Sequence, residues 1–234
     1  MQEEKGQLSG LYVKIIRADR KSIAAKLLDD GRVEVRAPVW VSDEFIVGFL
    51  LKNEQRLHDM AARRHDLLAK QQSYILTYGS KLLFLGKRYP VVAAADGKNC
   101  FDGQTFFVKD KLSQEEMRKA VARLFTELAR SIFEEKLNHY AALIGVSYSA
   151  FAVGSAKKRH GSCASNGKIT LSWRIIMMSE YVIDYIVVHE LAHIKQMNHS
   201  AAFYAEVAKV LPDYQLRRKS HRDYSLLLRE EGWM

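Results

Sequence analysis

The sequence has few cysteines and no long apolar run, and both shortages exclude classes of protein. Its two cysteines, Cys100 and Cys163, are too few for a disulfide framework and fit a reducing compartment. The most apolar stretch, Phe45–Leu51, is far shorter than the roughly 20 residues that a membrane-spanning helix needs. The opening MQEEKGQLSG lacks the basic and apolar stretches of a signal peptide. We therefore expect a cytoplasmic protein with no membrane partner.

Internal repeats, low-complexity tracts and a P-loop are also missing from the chain. Its 234 residues are 48% hydrophobic and 27% charged, which is typical of a globular protein with one large domain or two small ones. The net charge of +9 favours a polyanionic partner such as a nucleotide or nucleic acid, but does not establish one. The basic runs Lys157–Arg159 and Arg217–Arg222 would bind it, although such runs are usually solvated faces.

Residues 1–112 read as a β-rich N-terminal region with one long helix. Ser42, followed by two carboxylates, is a typical helix N-cap, and an apolar stripe continues from it to about Lys70. Turn-bounded or alternating segments predict strands at Leu11–Arg17, Ser22–Leu28, Arg32–Arg36, Leu82–Leu85, Arg88–Ala94 and Thr105–Val108. This region carries no recognisable chemistry.

Residues 113–234 form the second predicted domain, which begins with a capping box. Ser113 and Glu116 can satisfy each other's backbone donors and open a long helix that ends near Gly145. Alternation predicts a strand over Lys168–Trp173, which either pairs as an edge strand with an extended peptide or simply belongs to the core. A further helix is predicted over Tyr181–Met197.

This last helix carries the sequence His189-Glu190-Leu191-Ala192-His193. Two histidines four residues apart lie about 40° apart around a helix and about 6 Å apart along it, so both imidazoles can reach one ion. A glutamate beside the first histidine is placed to act as a general base. The pattern therefore predicts a metal site with a catalytic Glu190.

A catalytic zinc ion needs a third protein ligand, and two residues are candidates. His199 is favoured because three neutral imidazoles leave the charge of the ion available to acidify water. An unbroken helix would carry His199 to the far side, so the helix must end first, and Asn198 tolerates a left-handed stop. The spacing matches the metzincin pattern, except that Gln196 replaces its glycine. Glu206 is the alternative third ligand.

The other histidines need no functional explanation. We assign His58, His65, His139 and His221 to ordinary surface or capping positions. The same interpretation is less suitable for the predicted ligands, because three histidines together with an adjacent glutamate seldom arise by chance.

The residues around these ligands resemble the YgjP-like metallopeptidase family, a group of predicted metal-dependent hydrolases related to SprT-like and WLM zincins. The resemblance covers nearly the whole chain. The family usually has tryptophan at His160, and often at Tyr204 and Tyr214, so substrate preference is expected to differ. The matching segments are Arg17–Arg36, Arg159–Cys163, Leu171–Arg174, Val187–His193, Asn198–Ser200 with Phe203, Leu211–Tyr214 and Arg217–Lys219.

The resemblance implies an α+β fold: a zincin-like domain with an HExxH helix and a small mixed sheet, preceded by the β-rich region. It implies one Zn²⁺ per chain at His189, His193 and His199, with Glu190 as the base. Arg159, His160 and Arg174 are candidates for binding substrate or the transition state, although the arginines could equally hold the fold through salt bridges. Cys163 is either a small buried residue or a fourth ligand, and Tyr204 and Tyr214 are expected to pack.

The function that follows is a zinc-dependent hydrolase acting on peptides or proteins. One alternative is a metal-dependent nucleoside triphosphate pyrophosphohydrolase, which the basic charge would suit and the missing multi-carboxylate cluster would not. Another is a nucleic-acid-associated protease or binding module. Manganese, cobalt or nickel could occupy the same ligands as zinc.

Overall fold

A computed structural model of the chain describes residues 3–8, 10–28 and 30–234, so residues 1, 2 and 9 of the opening segment and residue 29 lie outside it. The chain divides into two compact units, Met1–Ser73 and Tyr74–Met234. The sequence placed the boundary after residue 112 instead. The difference arises because the sheet that precedes residue 112 packs on the helix that follows it: Phe106 and Phe125 meet at a ring-centroid distance of 5.3 Å.

The first unit is a four-stranded sheet with two helices. The strand order is β1-β2-β4-β3, with β2 and β4 parallel and the other pairs antiparallel. Valines on alternate positions of β4 face inward with Ile46 and Leu50 from the first helix, and they form the core of this unit. Its elements are β1 (Glu3–Leu8), β2 (Leu11–Ala18), β3 (Ala24–Leu27), β4 (Val33–Pro38), α1 (Asp43–Lys52) and α2 (Glu54–Ser73).

The single long helix predicted from Ser42 is interrupted at Asn53. Ser42 is the N-cap as expected, and its hydroxyl accepts a hydrogen bond from the Phe45 N–H at 3.3 Å. Asn53 ends α1, because its backbone N–H returns to Leu50 O at 3.0 Å and its side-chain amide donates to Phe49 O at 2.8 Å. The predicted segment is therefore helical over nearly the expected length, but it forms two helices instead of one.

The second unit begins with a small sheet on a long helix. The strand order is β5-β6-β8-β7, and an aromatic cluster on this sheet packs against the helix. The helix has the predicted capping box at Ser113 and Glu116 and ends at Gly145, whose φ is +74°. These elements are β5 (Lys81–Phe84), β6 (Lys87–Ala94), β7 (Cys100–Phe101), β8 (Phe106–Lys109) and α3 (Gln114–Ile144).

A three-stranded mixed sheet and three helices complete the second unit. They are β9 (Ala150–Gly154), β10 (Gly161–Cys163), β11 (Lys168–Ser172), α4 (Glu180–Ala192), α5 (Ala201–Val210) and α6 (Tyr214–Glu230), with a 3-10 helix at Trp173–Met177. The order is β10-β11-β9, so β11 is central and β10 is an edge. Of the two alternatives for the strand at residues 168–173, the structure therefore supports the core strand and not the edge strand.

The helices and small mixed sheets make an α+β fold, which confirms the predicted fold class. Helix α4 lies at the centre of the second unit and contacts α3, α5, α6 and β10. Within the part of the chain that the structure describes, no helix combines the length and the apolar character needed to cross a bilayer.

Candidate metal centre

Helix α4 carries the predicted metal-binding motif on its last turn. Apolar residues surround the helix, and most positions from Val182 to Ala192 are buried, so the helix is held on all sides. His189 and Glu190 belong to this turn, and His193 is the residue that caps it. A buried helix of this kind gives the motif a rigid support.

The helix ends earlier than the sequence predicted. Ala192 is its last residue, and turn hydrogen bonds from Lys195 N and Gln196 N to Ala192 O, at 3.1 and 3.0 Å, redirect the chain. Asn198 does not act as a left-handed stop: the described non-glycine residues with positive φ are Leu85 and Lys111. The predicted end at Met197 and its mechanism were therefore wrong, although the helix does stop before His199.

The chain then returns His199 to the motif at the start of helix α5. Ser200 is the N-cap of α5, and its hydroxyl accepts a hydrogen bond from the Phe203 N–H at 3.3 Å. This local cap sets the position of His199, one residue before it. It also turns Phe203 inward, where its side chain is fully buried.

The structure brings His189, His193 and His199 together as a histidine triad. One nitrogen from each imidazole lies within 4.8 Å of the other two, and the Nε2 atoms of His189 and His199 are 3.0 Å apart. Two imidazoles on a tetrahedral zinc ion, each at about 2.0–2.1 Å, have nitrogens roughly 3.3 Å apart. The triad therefore has the compactness that a single metal ion requires.

Neighbouring groups orient the rings of the triad. Nδ1 of His193 lies 3.1 Å from the carbonyl oxygen of Gln196, which leaves Nε2 of the same ring for the cluster. The Phe203 ring contacts all three imidazoles, with centroid distances of 4.9, 4.6 and 4.9 Å to His189, His193 and His199. Packing against the Phe203 ring restricts the rotamers of the three histidines.

The triad favours the neutral imidazoles that metal ligation needs. Burial and, to a smaller extent, the neighbouring His193 and His199 lower the pKa of His189 to about 3. Burial also lowers the pKa of His193. Near neutral pH the ring nitrogens of both residues are therefore free of an extra proton and available as ligands.

Glu190 is a buried carboxyl beside the triad, with 6% of its surface exposed. Burial raises its pKa to about 7, and the nearby Arg159 opposes this rise. A carboxyl whose pKa lies near neutrality can both take and release a proton in that range. A cation at the triad would lower this pKa again, because it stabilises the carboxylate form.

The edge strand β10 passes directly over Glu190. A Cβ atom added to Gly161 would lie 2.5 Å from Oε1 of Glu190, so only glycine allows the backbone to approach this closely. Position 161 belongs to the Arg159–Cys163 segment that the sequence singled out, but the sequence alone did not assign this glycine a role. The contact places an open sheet edge next to the carboxyl.

A cavity of about 600 Å³ opens beside the triad, and two further histidines line it. Nε2 of His221 lies 2.9 Å from Nδ1 of His160, and burial lowers the pKa of each ring to about 4. The assignment of His221 to an ordinary surface position was wrong. Helical spacing places residues 218, 221 and 222 on one face of α6, but only the packing of α6 on α4 brings that face to the cavity.

The remaining candidates are divided between the cavity and the core. Arg159 and His160 line the cavity, as does Tyr204. Arg174 does not: it is buried, donates to the carbonyl oxygens of Trp233 and Ser155, and lies over the Trp173 ring at 4.4 Å. Of the two alternatives for Arg174, the structure therefore supports the one in which its guanidinium holds the fold, through hydrogen bonds to carbonyl oxygens and, among the described residues, not through salt bridges.

The alternative ligands lie outside the cluster. Glu206 forms ion pairs with Lys195, at 3.2 Å, and with Lys209. Cys163 is half-buried on β10, and burial together with Glu190 raises the pKa of its thiol, which disfavours the thiolate that a metal would need. Among the described residues, the grouping of potential ligands consists of the three histidines alone.

Comparisons with known proteins place the chain in a family. The crystal structure of the metallopeptidase zymogen abylysin from Pyrococcus abyssi is similar to 42% of this chain and 95% of its own, with 27% identity and a TM-score of 0.38. No curated protein matches the sequence. The model of the YgjP-like metallopeptidase domain matches residues 21–223. The chain therefore belongs to the YgjP-like metallopeptidase family.

Proposed function

We propose that the protein is a zinc-dependent peptidase that uses His189, His193 and His199 as ligands and Glu190 as its general base. The observation that carries the proposal is the convergence of three imidazoles, within 4.8 Å of one another, beside a buried carboxyl. Membership of a metallopeptidase family implies a metal ion and a peptide or protein substrate. The residues of the site make zinc the best-suited ion.

The donor set fits zinc in number and type. Three nitrogen ligands with a fourth position left open are the usual arrangement of catalytic zinc, and imidazole suits this ion. The Nδ1 atom of His189 is buried and has no hydrogen-bond partner among the described residues, while its Nε2 atom faces the cluster. Because Nε2 faces the other two imidazoles, it is the ring nitrogen through which His189 would bind the ion. One zinc ion per chain follows from the single triad.

The reaction depends on proton transfer by Glu190. When bound, zinc lowers the pKa of a water molecule towards about 7 and polarises the scissile carbonyl. Glu190 takes the proton of the attacking water and delivers it to the departing amine nitrogen. The backbone of Gly161 closes one side of the carboxyl, which keeps its oxygens in the position from which both transfers occur.

Strand β10 is a suitable place for an extended substrate. His160 and Ala164 exchange hydrogen bonds with β11 through His160 O, 2.8 Å from Ser172 N, and Ala164 N, 2.9 Å from Lys168 O. In an antiparallel ladder the backbone groups of the alternate residues, Gly161 and Cys163, then point away from β11. A peptide that adds to this edge would pass beside Glu190. This arrangement favours peptide hydrolysis over reactions on small ligands.

A nucleoside triphosphate pyrophosphohydrolase remains the second candidate, because arginines line the cavity. Such enzymes hold magnesium with several carboxylates. The grouping of potential ligands among the described residues contains histidines only. The chemistry of the site thus favours the peptidase.

One experiment separates the two candidates. The purified chain is stripped of metal, reloaded with one equivalent of zinc, and assayed side by side on a peptide library and on nucleoside triphosphates. We expect cleavage of peptides, and none of it in the metal-free sample. Hydrolysis of triphosphates without cleavage of any peptide would overturn the proposal.

A further inference from the structure

The cavity beside the histidine triad has an unbalanced charge. Three arginines line it, Arg159, Arg218 and Arg222, and Glu190 is the one acidic side chain in the lining. The mechanism uses Glu190, so no carboxylate in the lining remains to neutralise the arginines. A bound zinc ion would add two further positive charges. The cavity is therefore strongly cationic where a substrate would bind.

These three guanidinium groups have no carboxylate partner within 4.0 Å among the residues that the structure describes, in contrast to their neighbour Arg217. Arg217 lies 2.8 Å from Asp213 and 3.7 Å from Asp184, and it covers the Tyr181 ring at 4.0 Å. Arg218 lines the cavity, and its guanidinium carbon lies 5.6 Å from the centroid of the Tyr204 ring. Arg217 thus holds the fold, whereas Arg218 is available to a ligand.

The arginines come from two separate elements that border the same space. Arg159 lies two residues before Gly161, at the entrance to the edge strand. Arg218 and Arg222 are four residues apart on helix α6, so they lie on one face of it. Like charges at this spacing destabilise a helix slightly, and a negatively charged ligand would remove that cost.

We infer that the substrate is an acidic peptide whose carboxylates, on side chains near the scissile bond, pair with Arg159, Arg218 and Arg222. This inference rests on the proposed peptidase function, whose substrate class it narrows. Guanidinium groups bind carboxylates through paired hydrogen bonds, and they hold their charge at every pH of interest. A lysine-rich peptide would be repelled by the same groups.

Binding can be measured without hydrolysis on the zinc-loaded Glu190→Gln chain. Three fluorescent peptides share one central sequence and carry glutamate, glutamine or lysine at the flanking positions. By fluorescence anisotropy, we expect the glutamate peptide to bind about tenfold more tightly than the glutamine peptide. The lysine peptide should bind weakest, and the differences should shrink as salt is raised, because ions screen exposed charges.

Charge reversal locates the effect. The double variant Arg218→Glu/Arg222→Glu should lose the preference for the glutamate peptide. Lys219→Glu is the matched control, because Lys219 is exposed on the same helix but does not line the cavity. It should keep the preference. Arg159→Glu provides an independent test on another element if the double variant does not fold.

The outcomes separate this inference from the proposed function. If the wild-type chain cleaves all three peptides equally and binds them equally, the acidic-peptide inference is overturned while the peptidase stands. If no peptide is cleaved, the peptidase proposal fails, and the binding comparison still decides whether the cavity selects carboxylates. Tighter binding of single-stranded DNA than of the glutamate peptide, lost in the double variant, would overturn the inference in favour of a nucleic-acid partner.

Discussion

The two units of the chain differ in how far they bury their tryptophan and phenylalanine side chains. In the second unit Phe203, Trp173 and Trp233 are buried, whereas in the first unit Trp40 and Phe45 are 75% and 61% exposed. The second unit also contains the histidine triad, which packs on Phe203. The comparison indicates that the chemistry of the site depends on tight packing beneath it. Changes in the second unit should therefore reach the metal centre, and changes in the first should not.

The largest effect is expected from removing a ligand of the second unit. His199→Ala should lose zinc and peptide hydrolysis, as His189→Ala should, because in the proposed site each imidazole would supply one of three bonds to the ion. His139→Ala is the control, since His139 is exposed on α3 and does not belong to the triad. Zinc content per chain is the measurement. Normal zinc in His199→Ala together with loss in Glu206→Ala would show that the ligand assignment is wrong.

The next largest effect is expected from cavities made in the hydrophobic cores of the two units. Phe203→Ala should lower the free energy of unfolding by about 3–5 kcal/mol and weaken zinc binding, because the deleted ring supports all three imidazoles. Ile46→Ala in the core of the first unit should cost about 2–5 kcal/mol and leave zinc affinity unchanged. Denaturation curves and zinc titrations test both variants. Equal loss of zinc affinity in the two would contradict the comparison.

Acid should destabilise the metal-free second unit. Burial lowers the pKa of His160 and His221 to about 4, so between pH 6.5 and 4 their unfolded forms bind protons that the folded forms exclude. Stability from these groups is present above pH 6.5 and is lost as the pH falls, by up to about 1.4 kcal/mol per histidine per pH unit. Glu190, whose pKa is raised to about 7, acts in the opposite direction, and its contribution is lost as the pH rises.

In this range the two histidines, together with His189, outweigh the single carboxyl. The melting temperature of the metal-free chain should therefore be lower at pH 4.5 than at pH 6.5. A His160→Gln/His221→Gln variant should show a smaller difference. A melting temperature that is constant or higher at pH 4.5 would contradict the buried, neutral state of these rings.

The smallest effect is expected at the exposed surface of the first unit. Trp40→Ser removes a side chain that is 75% exposed, so the free energy of unfolding should change by less than about 0.5 kcal/mol. Zinc content and peptide hydrolysis should be unchanged. A loss of hydrolysis in this variant would show that the first unit takes part in catalysis. It would contradict the claim that changes in the first unit do not affect the site.

Local signals in the sequence predicted the helices that position the site. The contacts between residues far apart in the sequence could not be predicted in this way. The capping box at Ser113 and the left-handed Gly145 depend on neighbouring residues, so both were found in the sequence. The position of His221 depends on how α6 packs on α4, which no local pattern encodes. The hydrogen bond from buried Arg174 to the carbonyl oxygen of Trp233 likewise joins residues 59 positions apart. Asn53 was missed because its side chain competes for backbone hydrogen bonds in a segment with helical periodicity.

The most direct test of the proposed mechanism is the replacement of Glu190 by glutamine. Glutamine keeps the shape of the side chain but cannot take a proton, so Glu190→Gln should bind one zinc per chain and melt at or above the wild-type temperature. Its turnover of peptides should fall by at least about 10²-fold, the usual scale of general-base catalysis. Zinc content, melting temperature and hydrolysis rate are measured on the same preparation. Full hydrolytic rate with zinc retained would contradict the account, because the reaction would then not use this carboxyl.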